Sequence, residues 1–207
     1  DTMTATSALG DATSSDTEVL LHMYMEYGAE MLDQLNGMFA LAIYDKQEKE
    51  LFVARDHFGV KPFYFYQREG VFVFASEIKS LLQFPGVKAE VDQKSLYEYL
   101  TFQMVLNRHT LFQNIQKLNP ASYLIIKDGK VVEKKRYWDV NFTIDTETKE
   151  EDYADELLSL IEDSISIQTR SDVPLGAHLS GGLDSSIVST LACKYQDGEF
   201  KTFTGGF

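Results

Sequence analysis

The sequence predicts a two-part molecule, an α+β part followed by the opening of an α/β part. Three observations carry this expectation. Aromatic and aliphatic runs alternate and are punctuated by tight turns between residues 38 and 138, as antiparallel hairpins require. The composition then turns acidic over 139–152. Beyond it come a helix, a strand, a glycine loop, a helix and a strand, the order in which a parallel sheet begins.

Each element has a local reason. Residues 1–15 are rich in Thr, Ser and Ala and read as a loop. Ser15-Asp16-Thr17-Glu18 is a capping box, in which Ser caps the helix and Glu stands three residues on. Leu20, Leu21, Tyr24, Tyr27, Met31, Leu32 and Leu35 follow at helical spacing, which predicts a helix over 16–33 closed near Asn36-Gly37. Met38–Tyr44 is a continuous apolar run and Leu51–Arg55 its return strand. Residues 62–67 and 71–75 form a hairpin around Arg68-Glu69-Gly70. A short helix capped by Ser76 runs to Phe84, and Asp92 caps another through Leu100. Residues 122–127 and 131–138 pair across Asp128-Gly129.

After Trp138, Asp139, Asp145, Glu147, Glu150, Glu151 and Asp152 mark an interdomain linker. Tyr153–Ile167 is amphipathic, Val173–Leu179 reads as a short buried strand, Asp184–Tyr195 as a helix, and Lys201–Thr204 as a further strand. The domain boundary is therefore expected between 138 and 139.

Composition excludes several classes. Lys and Arg number 19 against 32 Asp and Glu, a net charge of −13, whereas nucleic-acid binding needs basic patches. No apolar run is long enough to span a membrane, and the first residues have neither the basic nor the apolar region of a signal peptide. The single cysteine, Cys193, excludes an intrachain disulfide, fits a cytoplasmic location and is expected in the core. His22, His57 and His109 lack metal-ligand spacing. The aromatic residues Phe63, Tyr64, Phe65, Tyr66, Phe72 and Phe74 read as sheet packing rather than a base-stacking platform.

The strongest chemical signal is Leu179-Ser180-Gly181-Gly182-Leu183-Asp184-Ser185-Ser186. A strand delivers this octet and a helix leaves it. Two glycines let backbone N–H groups converge on an anion, serine hydroxyls add donors, and the helix dipole points to the same place. A phosphate or pyrophosphate suits such a loop. Asp184 would repel that anion unless a bridging Mg²⁺ lay between them. No Gly-Lys-Ser/Thr is present, so this is not a Walker loop.

The octet resembles the pyrophosphate loop of the ATP pyrophosphatases, which cleave ATP between its α- and β-phosphates. Asn36–Asp45, Arg55–Pro62, Ala75–Leu81 and Tyr137-Trp138 resemble segments of the glutaminase half of glutamine-hydrolysing asparagine synthetases, as does Ser15-Asp16-Thr17-Glu18. The resemblance covers about residues 14–207. It implies an α/β/β/α sandwich of the N-terminal nucleophile type, of which 1–138 is the later portion, and an α/β ATP-pyrophosphatase domain, which 139–207 open. The implied reaction is ligation: glutamine is hydrolysed, ATP adenylates aspartate, and ammonia displaces AMP.

The same resemblance implies roles residue by residue. Asp16 would contact the α-amino group of glutamine. ATP and its pyrophosphate would meet His178, Leu179, Ser180, Gly181, Gly182, Asp184, Ser185, Ser186 and the backbone near Gly205, with Mg²⁺ reaching Asp184 through pyrophosphate. His178 stands where the family more often has an aliphatic residue, and reads as a core or adenine-wall histidine. Arg55, Asp56 and Lys61 read as structural ion-pair residues of the glutaminase sheet. Implied partners are glutamine, aspartate and ATP, with a homodimer possible and neither nucleic acid nor membrane.

Two departures from the family pattern stand out. Residue 1 is Asp1 where the family places its cysteine nucleophile, and no Asn-Gly-Glu segment occurs. The expectation is thus an incomplete chain with no catalytic residue of its own. Two alternatives stay open. One is a sibling that adenylates another carboxylate, as in β-lactam synthetases or lasso-peptide cyclases. The other is a non-catalytic module that retains the fold.

Overall fold

The computed structural model describes residues 3–5, 16–171, 173–196 and 198–206. Met3–Val140 forms one compact unit and the described residues from Asn141 on form another.

The first unit opens with β1 (Met3–Ala5) and α1 (Asp16–Tyr27), continued by a 3₁₀ segment over Gly28–Gln34. The expected single helix over 16–33 is therefore interrupted. Gly28 takes φ +56°, a left-handed conformation that ends an α-helix, and the chain resumes with tighter turns. Ser15, the expected cap, lies outside the described residues. Next come β2 (Leu35–Gly37), β3 (Ala40–Asp45), β4 (Glu50–Arg55), β5 (Tyr64–Arg68), β6 (Val71–Ala75), α2 (Ile78–Leu81), α3 (Gln93–Phe102), β7 (Ile115–Lys117), β8 (Ser122–Lys127) and β9 (Lys130–Arg136). The α2 helix begins after Glu77 with no side-chain cap, so Ser76 does not cap it; Asp92 does cap α3, accepting the Ser95 N–H at 2.8 Å.

Two antiparallel sheets result, in orders β3-β4-β8-β9 and β6-β5-β7, and β1 pairs with β2. Strand alternation sends side chains to three separate cores. Phe52 and Ala54 of β4 and Tyr123 of β8 pack with Met23 of α1 and Met31 and Leu32 of the 3₁₀ segment. Their neighbours Val53, Leu124 and Ile126 point the other way, meeting Phe63 and Phe65 between the sheets. On the far side of the second sheet, Tyr66, Ile115 and Leu81 form the third cluster. Helix, sheet, sheet and helix thus stack in the α/β/β/α order expected. The aromatic alternation is packing: Phe63 stacks on Phe74 with centroids 5.3 Å apart, and Phe65 on Phe72 at 5.4 Å.

The two hairpin tips Glu69-Gly70 and Asp128-Gly129 belong to different sheets but abut. A Cβ on Gly129, which has φ +68°, would run into the carbonyl oxygen of Gly70.

The second unit contains α4 (Glu150–Gln168), β10 (Gly176–His178), α5 (Leu183–Lys194) and β11 (Lys201–Phe203). β10 and β11 pair in parallel, with His178 opposite Phe203. The core is small: Ile165 of α4 with Leu191 and Ala192 of α5, flanked by Ile161 and Phe200. The strand expected to be buried over 173–179 is shorter and largely exposed, with Ala177 partly covered, because among the described residues the sheet has two strands. Cys193 is exposed, not in the core: Leu191 and Ala192 occupy the packed side of α5 and the next residue turns away from it. No described helix is long and apolar enough to cross a membrane.

Candidate functional site

In the second unit, the octet occupies the turn between β10 and α5. Its strand end is tied down first. The Leu179 N–H donates to the Phe203 carbonyl at 2.9 Å, and the Thr204 hydroxyl donates to the Leu179 carbonyl at 2.6 Å. The chain then leaves the sheet at Ser180 and turns at Gly181, whose φ of +81° favours glycine.

The serine hydroxyls fix the loop to the helix start. Ser180 Oγ and Ser185 Oγ lie 3.0 Å apart and share a hydrogen bond. The Ser185 and Ser186 hydroxyls both donate to the Gly182 carbonyl, at 3.0 and 2.8 Å. Gly182 is the N-cap of α5 and supplies no side-chain cap, so the first-turn N–H groups face outward. Ser180, Gly181, Gly182 and Asp184 are exposed, and Ser185 and Ser186 partly so. The exposed Gly181 backbone, the Ser180 side chain and the helix N-terminus lie together at the solvent surface, an arrangement that suits an oxyanion.

His178 ends β10 beside Phe203, with ring centroids 6.4 Å apart, and both residues are exposed. The core option for His178 is thereby excluded. Gly205 lies open, with no atom within 4 Å of a notional Cβ. Leu179 is half-buried at the root of the loop. These nine positions all lie at one end of the two parallel strands. Asp184 is the acidic residue of the first turn of α5, and among the described residues it belongs to no cluster of three metal-ligating side chains. One carboxylate with neighbouring hydroxyls fits Mg²⁺ that keeps waters and phosphate oxygens as its other ligands, and does not fit an all-protein cage.

Asp16 belongs to the other unit. It begins α1 and is exposed, sharing the first turn with Glu18, which pairs with His22 at 3.7 Å.

Arg55 and Asp56 hold the loop between β4 and β5 through main-chain groups. Arg55 donates to three carbonyls: Nε to Lys61 at 2.7 Å, Nη1 to Leu118 at 2.6 Å and Nη2 to Gly59 at 2.5 Å. Burial lowers the guanidinium's proton affinity and neighbouring Asp56 restores part of it. The Asp56 carboxylate is 2% exposed and accepts backbone N–H groups of Phe58, Val60 and Lys61 at 3.2, 2.9 and 3.0 Å. Gly59, at φ +65°, lies so close that a Cβ would come within 2.9 Å of the Arg55 guanidinium carbon. Behind the loop, Tyr137 donates to the Arg55 carbonyl at 2.9 Å, and burial raises its phenol's pKa. Sequence pattern named these residues as structural. It could not name the partners: main-chain oxygens up to 63 residues away for Arg55, and main-chain N–H groups for Asp56. Thr204 was missed for the same reason.

Comparison with known proteins now places the chain. Residues 6–138 match the family model described as a glutamine amidotransferase domain, and residues 156–207 match the asparagine synthase model. Asparagine synthetase [glutamine-hydrolyzing] 1 of Bacillus subtilis is 39% identical over 195 residues, which is 94% of this chain and 30% of that protein. Asparagine synthetase 3 of the same organism is 40% identical over 190 residues, 91% of this chain and 30% of the relative. The amidase chry2 of Gibberella zeae is 31% identical over 180 residues, 85% of this chain and 26% of its own. The chain thus spans about 30% of the length of the curated asparagine synthetases it matches. With a family model covering most of its length, the chain belongs to the glutamine amidotransferase domain family.

Proposed function

We propose that this chain is part of a glutamine-hydrolysing asparagine synthetase, a cytoplasmic ligase that uses glutamine, aspartate and ATP. Residues 1–138 would be the later portion of its glutaminase, and 139–207 the start of its ATP-binding domain. The observation that carries this reading is the octet from Leu179 to Ser186. It lies at the carboxyl end of a strand in a parallel pair, with amides and hydroxyls open to solvent, in a region matching the asparagine synthase model. Beyond its internal hydrogen bonds, the turn presents the exposed Gly181 backbone and the uncapped first-turn N–H groups of α5 at a helix N-terminus. The two names among the asparagine synthetase relatives and the amidotransferase match support the glutamine side.

The roles follow from chemistry. The amides at Gly181 and Gly182 and the Ser180, Ser185 and Ser186 hydroxyls would bind the β- and γ-phosphates and hold the pyrophosphate as it departs. Mg²⁺, when bound, would neutralise charge on the phosphates, and Asp184 would hold it through its carboxylate and bound water. His178 and Phe203 offer flat faces against which adenine can stack, and Leu179 and Gly205 supply backbone groups near it. Asp16 would accept the α-ammonium of glutamine, a charge-assisted pairing.

The test separates the two halves. In the complete enzyme, Asp184→Asn is nearly isosteric and should abolish both glutamine- and ammonia-dependent synthesis while sparing glutamine hydrolysis. Asp16→Asn should do the converse, raising the glutamine KM by about tenfold or more with ammonia-dependent synthesis intact. Full synthesis in Asp184→Asn, with unchanged Mg²⁺ dependence, would remove the octet from ATP chemistry. Activity with a carboxylic acid other than aspartate would select the sibling reading instead.

A further inference from the structure

β7 and β9 are edge strands of the two sheets of the first unit, and residues of both line one cavity. The cavity has a volume of about 240 Å³. Its floor is apolar, made by Phe65, Leu118, Leu124 and Val131, residues of the inter-sheet layer. Its rim is cationic, with Arg108 and Lys134, and includes Gln116 and Asn119.

The rim residues are aimed by strand register. Lys134 stands opposite Leu124, whose side chain points between the sheets, so its stem enters on the core-facing side of β9. Gln116 stands opposite Phe65 and shares that inward face. Lys117 also borders the cavity, but its ammonium turns to the Val105 carbonyl at 3.4 Å. Arg108 and Lys134 are close enough to repel: burial, then the Arg108 charge, hold the Lys134 ammonium below its usual range. Among the described residues neither makes an ion pair, although the protein carries 32 acidic residues against 19 basic ones.

Two like charges held together at a concave, half-apolar site, in a chain of net charge −13, require a reason. We propose that this cavity is a binding site for a small polyanion bearing carboxylate or phosphate groups, clamped between Arg108 and Lys134, with the amides of Gln116 and Asn119 completing its hydrogen bonds. Such an anion cancels the mutual repulsion of the two cations. The volume admits a ligand of metabolite size, and the apolar floor suits its carbon skeleton. An inward lysine on an edge strand also guards against strand addition. That use alone does not call for a second cation, or for amides facing it.

The experiment uses the full chain with citrate and inorganic phosphate as probes, against sodium chloride at equal ionic strength and without Mg²⁺. Amide resonances of Gln116 and Asn119 should shift saturably with citrate or phosphate and not with chloride. Arg108→Gln and Lys134→Gln should each weaken binding about tenfold, and the double variant should lose it, with the remaining spectrum unchanged. A response by citrate alone would assign a carboxylate ligand, and one by phosphate alone a phosphorylated one. Shifts confined to Gly181 and Gly182, or binding unchanged in Arg108→Gln, would overturn the proposal. So would self-association of Lys134→Gln with the citrate response intact, which would leave that lysine as an edge guard.

Discussion

Met3–Val140 and the residues from 141 on treat their loops in opposite ways. In the first unit, the loop after β4 is clamped from inside: Arg55 and Asp56 satisfy six main-chain groups between them. In the second, the loop after β10 is held by one backbone hydrogen bond at its root and by small hydroxyls, and the first-turn N–H groups of α5 have no side-chain cap. The surrounding layers differ in the same sense. Three cores fill the first unit, while on α4 and α5 Leu157, Leu158, Leu160, Ile187 and Val188 are exposed and only a few residues are buried. A loop that must hold itself rigid uses up its donors. A loop held by a few small hydroxyls depends on its flanking strand and helix for position.

The largest expected effect tests whether the layered cores carry the first unit. Phe52 is fully buried between Tyr24 and Tyr123, with ring centroids 4.8 and 5.4 Å away. Phe52→Ala should cost about 3–5 kcal/mol in urea unfolding followed by near-ultraviolet circular dichroism. A loss below about 1 kcal/mol would mean that α1 and the first sheet are not cooperatively joined.

The next effect probes the clamp. Arg55→Lys keeps the charge but cannot reach three carbonyls, and should cost about 2–3 kcal/mol. Hydrogen exchange should show residues 57–61 opening first in that variant, with the Gly181-Gly182 amides unchanged. Equal protection of the 57–61 loop in variant and wild type would show that Asp56 suffices.

How far sequence reading reached follows from this contrast. The hairpins were legible from their apolar runs and tight turns, whereas the layering came only from the family resemblance, because Leu51-Phe52-Val53-Ala54 is apolar on both faces and does not show which face each side chain takes. The octet was legible because its glycines and serines adjoin each other in sequence. The break at Gly28 was not, because the apolar spacing of Met31 and Leu32 continues past it and periodicity does not register a single positive φ. Cys193 was misplaced by one helical step of about 100°. The Arg55 acceptors and the Arg108–Lys134 cavity are products of long-range pairing, which no local pattern records.

Smaller effects refine the picture. Asp92 caps α3 through the Ser95 N–H, and that hydrogen bond holds its carboxyl below the ordinary 3.8. Its contribution is therefore present above the unfolded pKa and is lost as pH falls through the lowered folded value. Asp92→Ala should cost about 1 kcal/mol at neutral pH, with the gap to wild type closing below about pH 4. A gap independent of pH would make the loss one of packing. Smallest of all, Cys193→Ser should change stability by less than about 0.5 kcal/mol, and native Cys193 should react with a thiol reagent as fast as unfolded chain does. Protection of that thiol would place a covering surface over α5.

The abutting tips at Gly70 and Gly129 bear on how this protein can be re-engineered. Hairpin ends are ordinarily where a peptide tag, a fluorophore or a guest domain is spliced in with least harm. Here neither tip can lengthen without displacing the other, so the two turns form a matched pair whose sizes can change only together. The polar turn between β3 and β4, where Asp45 accepts the N–H groups of Gln47 and Glu48 at 2.8 and 3.0 Å, is solvent-facing, and its Glu48 and Glu50 pair with Lys127 of the same sheet rather than of the other one. It is the place to graft a reporter that watches the sandwich without prying its sheets apart.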